Sequence, residues 1–367
     1  MPEVNRKVLI VIARLNVGGT AQYIGELVKG LQRHGYETLV ATGHVQGAER
    51  EDEIVNQLPI RRVKNLGRKI SLFSDLRARQ EIARIIREFE PDLVYSHTFK
   101  AGLLTRTLKL DMPRIHAFHG HLLFEPELSG WKSQVVLAIE RMLAHRAKLL
   151  ITVGEKVAEE LFSVRVGRNS QYRSIAPGVN PIKIDDYAKA RRELGIEKES
   201  RPVVVWMARV TAVKAPQRVV EIARSIPEVR FLLAGGGDMF EEISRSCPPN
   251  LTVVGWQPAS RMWAVADLAI STSENEGMPV ALIEAQLAGI PIVALDVGSV
   301  GEVIVDGETG YLFSEFDEQY IQKIRELISD PKRLSQMSRA AQNWANSQFA
   351  PEKMVNSHLA IFDEILA

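Results

Sequence analysis

Glu276 and Glu284, with seven residues between them, sit in the densest chemical stretch of the chain, Ser273-Glu274-Asn275-Glu276-Gly277-Met278-Pro279-Val280-Ala281-Leu282-Ile283-Glu284-Ala285. A strand ends there, a glycine turn follows, and Pro279 stands where the first turn of a helix tolerates proline. The backbone N–H groups around Gly277 and Met278 then form a partial positive charge beside two carboxylates, an arrangement suited to the hydroxyls of a sugar or ribose. The same acids would also suit a helix cap and a solvated helix face. Arg209 and Lys214 follow another strand-like run, Val203 to Ala208. Two cations at one strand edge can neutralise a diphosphate, arginine as a planar fork and lysine as a point charge. The alternative is a pair of ordinary surface cations.

Gly18 and Gly19, followed by Thr20, lie between the first strand-like run and the first helical pattern. Glycine there lets a phosphate or a sugar hydroxyl approach bare backbone at a helix N-terminus, though a tight connection would need the same residues. Four of the eight histidines, His97, His116, His119 and His121, cluster at two strand ends and point towards the ligand edge. His97 stands alone and His119 with His121 is an i, i+2 pair without a local carboxylate, so the spacing does not describe a zinc site. Asp-x-Asp, a P-loop, G-x-S-x-G and spaced Cys/His clusters are all absent, which removes the parts of a metal–diphosphate clamp, an NTPase and a serine hydrolase. G-x-G-x-x-G is missing too, and the second strand ends in Thr42-Gly43 without an acid for a ribose, which disfavours a nicotinamide enzyme.

These residues must be carried by strands and helices, and the pattern alternates between the two. Val8 to Ala13 is a continuous aliphatic run of the kind a parallel sheet buries on both faces. Ile24, Leu27, Val28 and Leu31 then recur at helical spacing before Gly35 stops the helix. Thr38–Thr42, Leu93–Ser96, Arg114–Phe118 and Leu149–Val153 read as further strands, with helices near 72–89, 100–109 and 131–147. Two prolines and a glycine at 177–181 interrupt this grammar. It resumes with strands at Val203–Ala208, Arg230–Ala234, Leu251–Gly255, Leu268–Thr272 and Ile290–Leu295. The expectation is two doubly wound α/β domains that bind ligand at the carboxyl ends of their strands.

A chain of 367 residues with 46% hydrophobic and 25% charged residues is an ordinary globular protein of two domains. One cysteine, Cys247, favours a reducing compartment, and the short apolar run after Lys7 is too brief for a signal or spanning segment. A cytoplasmic location is expected. The net charge of +1 hides an asymmetry: residues 1–180 hold 27 Lys and Arg against 19 Asp and Glu, a balance of +8, and the rest hold 19 against 26, a balance of −7. A basic first half suits an anionic membrane face or a phosphorylated substrate. Leu72, Phe73, Leu76, Ile82, Ile85 and Ile86, interleaved with Arg77, Arg79, Arg84 and Arg87, read as one amphipathic surface for the membrane, or as a helix packed on the sheet with its arginines in water.

Over nearly its whole length the sequence resembles glycosyltransferase family 4, the retaining GT-B enzymes. The E-x7-E motif matches Glu276 to Glu284, "ARVTAVK" resembles the family's arginine–lysine element, "GGTAQ" its N-terminal glycine loop, and "SHTFKAG" and "FHGH" its strand-end histidines. Gln22, Ala208 and Ser299 depart from the usual acid, glycine and glycine. The resemblance implies a GT-B fold, two Rossmann-like domains facing across a cleft. An acceptor-side domain would span 1–178 and a nucleotide-sugar donor domain 179–350, with a C-terminal helix over 351–367 packing back on the first. It implies that Arg209 and Lys214 hold the donor diphosphate and Glu284 the ribose, while Glu276 with Gly277, Met278 and Pro279 holds the transferred sugar. Gly18 and Gly19 would approach the phosphates, and His119 would sit beside the donor sugar. Thr20, His97, Lys100 and His121 are the acceptor-side candidates. The implied chemistry is metal-free, retaining transfer from a nucleotide diphosphate sugar, such as a UDP-sugar, to a glycan or lipid-linked acceptor in surface-polysaccharide assembly. No cofactor, metal or nucleic acid is called for, and a peripheral association with the inner membrane face is expected. A non-hydrolysing sugar-nucleotide epimerase, a two-lobed binding protein and a transferase for a soluble acceptor are the rivals.

Overall fold

The computed structural model describes residues 6–46, 49–67, 71–120 and 130–367. The chain divides into two compact units, one formed by residues up to Val179 together with Pro351–Ala367, the other by Asn180–Ala350.

In the first unit the strands are β1 (Lys7–Ile12), β2 (Glu37–Thr42), β3 (Ile60–Arg62), β4 (Leu93–His97), β5 (Arg114–Phe118), β6 (Leu149–Thr152) and β7 (Tyr172–Ser174). They form one parallel sheet in the order β3-β2-β1-β4-β5-β6-β7. The central strand β1 is a continuous aliphatic run whose Val8 to Val11 are wholly buried, as a sheet covered on both faces requires. The connecting helices are α1 (Gly19–Arg33), α2 (Leu72–Phe89), α3 (Phe99–Arg106), α4 (Trp131–Ala144) and α5 (Glu155–Ser163). The sheet grows in one direction through α1 and in the other through α2 to α5, so right-handed crossovers place α1 on one face and α2 to α5 on the opposite one. Ala78, Ile82, Ile85 and Ile86 of α2 pack with Leu9, Val11, Val94 and Leu104 under that second layer.

The second unit has α6 (Tyr187–Glu193), β8 (Val203–Met207), α7 (Pro216–Ser225), β9 (Arg230–Ala234), α8 (Phe240–Ser246), β10 (Leu251–Gly255), α9 (Ala259–Val265), β11 (Leu268–Ser271), α10 (Val280–Leu287), β12 (Ile292–Leu295), β13 (Gly310–Phe313), α11 (Glu318–Ile328) and α12 (Pro331–Gln348). Its parallel sheet runs β10-β9-β8-β11-β12-β13. The last helix, α13 (Pro351–Leu366), returns to the first unit and lies along α1. There a Cβ on Gly30 would fall 2.2 Å from the Val355 side chain, so the closeness of the two helices requires glycine at position 30.

In each sheet the strand order reverses once, between β1 and β4 and between β8 and β11. A doubly wound sheet opens a crevice at that point, beyond the strand carboxyl ends.

Candidate functional site

The residues that follow β8 and β11 come together. Beyond β8 the chain turns through Arg209, and Lys214 closes a short 3-10 turn over Ala212–Lys214. Ala215 adopts φ +46° so that Pro216 can open α7. The turn is held from β11: the Thr272 hydroxyl lies 3.0 Å from the Lys214 carbonyl and 3.1 Å from that of Ala215 and accepts the Trp206 indole N–H at 3.0 Å, while the Glu274 N–H donates to Val213. Lys214 Nζ therefore meets Glu276 Oε1 at 2.5 Å, and the Ser273 hydroxyl donates to the same oxygen at 2.7 Å. Both ion-pair side chains are largely covered, 15% and 11% exposed. Arg209 stands exposed on the same edge.

The turn carrying Glu276 and Gly277 is braced from behind. Gly298, at φ +53°, sits so close that a Cβ would come within 1.8 Å of the Glu276 carbonyl, and the Ser299 N–H donates to the Gly277 carbonyl at 2.9 Å. Met278 is buried, and Pro279 caps α10 with no side chain occupying its first N–H groups. The Leu282 and Ile283 N–H groups turn back to the Pro279 carbonyl, and the helix N-terminus lends the site a partial positive charge. Glu284, 7% exposed, lies on the second turn of α10. Gly235 to Gly237 serve close packing instead, since Cβ atoms there would strike the Ala208 carbonyl, the Trp256 ring and the Val210 carbonyl. They let the β9 loop lie against the Arg209 loop.

In the first unit Gly18, exposed with φ +148° and open space around it, precedes α1, whose first turn contains Gly19 and Thr20 and carries no side-chain cap. Across the strand reversal, β4 ends in His97. Thr98 holds φ +68° and ψ 157°, a backbone strain on the order of 1–3 kcal/mol for a residue with a Cβ.

The expectation that both histidine-bearing strand ends face a ligand is half corrected. His97 is wholly buried and is hydrogen-bonded, Nδ1 to Nε2, to His119 at 2.9 Å; the half-buried His119 lies nearer the surface. His97 Nε2 finds no partner among the described residues. Lys100 is also inside, 2.6 Å from Asp75, where it joins α3 to α2. That ion pair makes it a structural cation. His121 lies outside the described residues.

Sequence reasoning missed His358. Its Nδ1 lies 2.8 Å from the Met354 carbonyl and must donate to it, which leaves the single Nε2 lone pair as acceptor for the Tyr23 and Tyr95 hydroxyls, 3.1 and 3.2 Å away, the two phenols also being hydrogen-bonded to each other. Tyr23 packs edge-on against His119 at 4.8 Å between ring centroids. Burial pushes His358 and His119 down to about 4 and His97 well below the ordinary histidine value. All three are neutral near pH 7. The sequence signal for His358 was absent because its tyrosine partners lie more than 260 positions away.

The amphipathic reading of α2 also needs correction. Ile82, Ile85 and Ile86 are buried on the sheet, so only Leu72, Phe73 and Leu76 of its apolar residues are exposed. Among the described residues no group of three metal-binding side chains converges, and no helix is long and apolar enough to cross a membrane.

Two family models match consecutive stretches of the chain: a glycosyl transferase 4-like domain over residues 18–178 and the glycosyl transferases group 1 over residues 187–344. Sulfoquinovosyl transferase SQD2 of Arabidopsis thaliana is 24% identical over 74% of this chain. The D-inositol 3-phosphate glycosyltransferase of Segniliparus rotundus is 29% identical over 68%. The matches span 56% and 61% of those relatives' own lengths. The crystal structure of Anabaena HepE in complex with UDP and glucose superposes with a TM-score of 0.83 over 98% of this chain and 100% of that one, at 20% identity.

Proposed function

The chain belongs to the group 1 glycosyltransferases, and from that premise we propose that it transfers a sugar from a UDP-sugar to a hydroxyl of a lipid-linked or glycan acceptor, with retention and without a metal. One observation carries this reading: Arg209, Lys214 and Glu276 stand at the ends of the two strands that flank the reversal in the second sheet. The donor diphosphate would take over Lys214 from Glu276 and engage the Arg209 fork. Glu276, released, would accept hydroxyl hydrogen bonds from the sugar, and Glu284 would accept those of the ribose. As the bond from the anomeric carbon to the diphosphate breaks, the two cations stabilise the charge gathering on the leaving oxygens. The acceptor oxygen forms its bond to that carbon from the same face and passes its proton to the departing phosphate, so UDP leaves and the configuration is kept. On the first unit His119, neutral and hydrogen-bonded to His97, keeps one ring nitrogen for a hydroxyl at the carboxyl edge of its own sheet.

The choice of UDP is supported by HepE, whose structure holds UDP and glucose. A lipid-linked, phosphate-bearing acceptor in surface-polysaccharide assembly at the inner membrane face is supported by the +8 balance of residues 1–180. Turnover should be measured with UDP-, GDP- and ADP-sugars for wild type, Arg209→Ala, Lys214→Ala and Glu276→Gln. Each alanine variant should lose about 2–4 kcal/mol of transition-state stabilisation, roughly 30- to 1000-fold in kcat/KM. Wild-type rates in Lys214→Ala would overturn the assignment, and release of a free epimer without acceptor would establish the epimerase instead.

A further inference from the structure

Helix α4 is apolar on two opposite sides. One side, Val136, Leu137, Leu143 and Ala144, is buried in the first unit. The other, Trp131, Val135, Ala138 and Met142, recurs at i, i+4, i+7 and i+11 and so forms one stripe along the helix. That stripe is open: Trp131 is 73%, Val135 46% and Met142 54% exposed, and Ala138 is exposed as well. Scattered surface apolar residues are commonplace, but a continuous row on the outward face reverses what a surface helix shows. The residues bordering the stripe are Lys132, Arg141, His145 and Arg146, all exposed. The only acid of α4, Glu140, points the other way and is buried against Arg106 of α3, at 2.8 and 2.9 Å. In the same helical layer the first turn of α2 adds Leu72 and Phe73, 85% and 83% exposed.

We propose that this face of α4, with the start of α2, is the seat of the first unit on an anionic lipid bilayer. An apolar stripe with a tryptophan at its end, flanked by cations and free of acids, is the pattern of a helix lying in the interface of a membrane. The charge selects lipid headgroups of opposite sign, and the +8 balance of residues 1–180 acts in the same direction. The placement also suits the chemistry. Helix α4 follows β5 and α2 precedes β4, so Trp131 and Leu72 begin their helices at the carboxyl edge of the sheet, the edge that carries His119 and Gly18. An acceptor headgroup held in the bilayer would be presented to that edge without leaving its membrane. This proposal rests on the reading of a lipid-linked acceptor.

The test is co-sedimentation with phosphatidylcholine vesicles with and without phosphatidylglycerol, at low and physiological salt. Wild type should sediment with the anionic vesicles and be partly released by salt. The variant Trp131→Glu/Met142→Glu should lose at least about tenfold in bound fraction, and Lys132→Glu/Arg146→Glu should lose the preference for anionic lipid. Phe162→Glu on α5, another exposed apolar position, is the control and should bind like wild type. UDP release from UDP-sugar, measured in solution, reports the donor reaction separately and should be unchanged in all three variants. Wild type remaining in the supernatant at low salt, or equal sedimentation of the Trp131→Glu/Met142→Glu variant, overturns the proposal whatever the turnover. A concentration-dependent dimer in sedimentation velocity that this variant abolishes also overturns it, since the stripe would then be covered by a second copy. Lipid binding through Trp131 with no turnover on any sugar nucleotide would instead overturn the transferase reading and leave the docking face standing.

Discussion

Acidification should weaken the first unit through its buried histidines, and the size of the effect follows from their environment. His119 and His358 titrate in the folded protein at about 4, against about 6.5 in an unfolded chain. Below 6.5 the unfolded state binds protons that the folded state refuses, so the stabilisation is complete above that value and drains away as the pH falls towards 4. Between pH 7.5 and 5.0 each of the two costs about 2 kcal/mol, and about 4 kcal/mol together. His97 and His116, also pushed down by burial, act in the same direction. Glu140, raised by burial, acts in the opposite one. The comparison that isolates the cluster is His358→Gln, whose amide oxygen can still accept from Tyr23 and Tyr95 but does not titrate. Hydrogen exchange read by mass spectrometry, corrected for intrinsic rates, reports the first unit and residues 180–350 separately. Peptides of the first unit should lose protection at pH 5.0 in wild type, with about 2 kcal/mol less loss in His358→Gln. Equal protection of wild type at the two pH values, or equal losses in both proteins, would refute the reasoning.

Gly298→Ala should reduce UDP-sugar turnover at least about tenfold while leaving the melting temperature within a few degrees, because its Cβ would displace the Glu276 carbonyl rather than open the core. Arg106→Met should destabilise the first unit by about 3–5 kcal/mol by stranding Glu140 in the interior, and adding Glu140→Leu should recover much of it, as read by urea titration. Activity should persist in EDTA; full dependence on added magnesium or manganese would show that Arg209 and Lys214 are not the diphosphate partners.

Strands whose residues are mostly apolar and that alternate with helical patterns were legible in the sequence. Arg114–Phe118, Arg230–Ala234 and Leu251–Gly255 occupy the expected residues. The strands that escaped notice are Ile60–Arg62, Tyr172–Ser174 and Gly310–Phe313, three or four residues long and each at a sheet edge. An edge strand is buried on fewer sides and so needs no apolar run to mark it. Periodicity shows that α4 has apolar stripes but not which one meets the sheet. The charged residues around Glu276 were visible as a motif. The roles of Thr272, Ser273 and Gly298, which set their geometry, were not, because they act through contacts between β8, β11 and the loop after β12. The burial of His97 and Lys100 depends on β5, α2 and α13 arriving beside them.

The return of α13 to the first unit ties that unit's completion to the order of synthesis. Tyr23 and Tyr95 are made early, yet the nitrogen that accepts their hydroxyl protons belongs to His358, and all of residues 180–350 must be translated in between. At ordinary elongation rates that interval is about 10–30 s. During it the α1 face around Gly30 lacks its cover, and the hydrogen-bonded pair of phenols lacks the acceptor that His358 supplies. The second unit has no such debt, since its residues are contiguous. On the ribosome the nascent chain therefore holds an open α1 surface that a chaperone can occupy, and the unit made first is the one finished last.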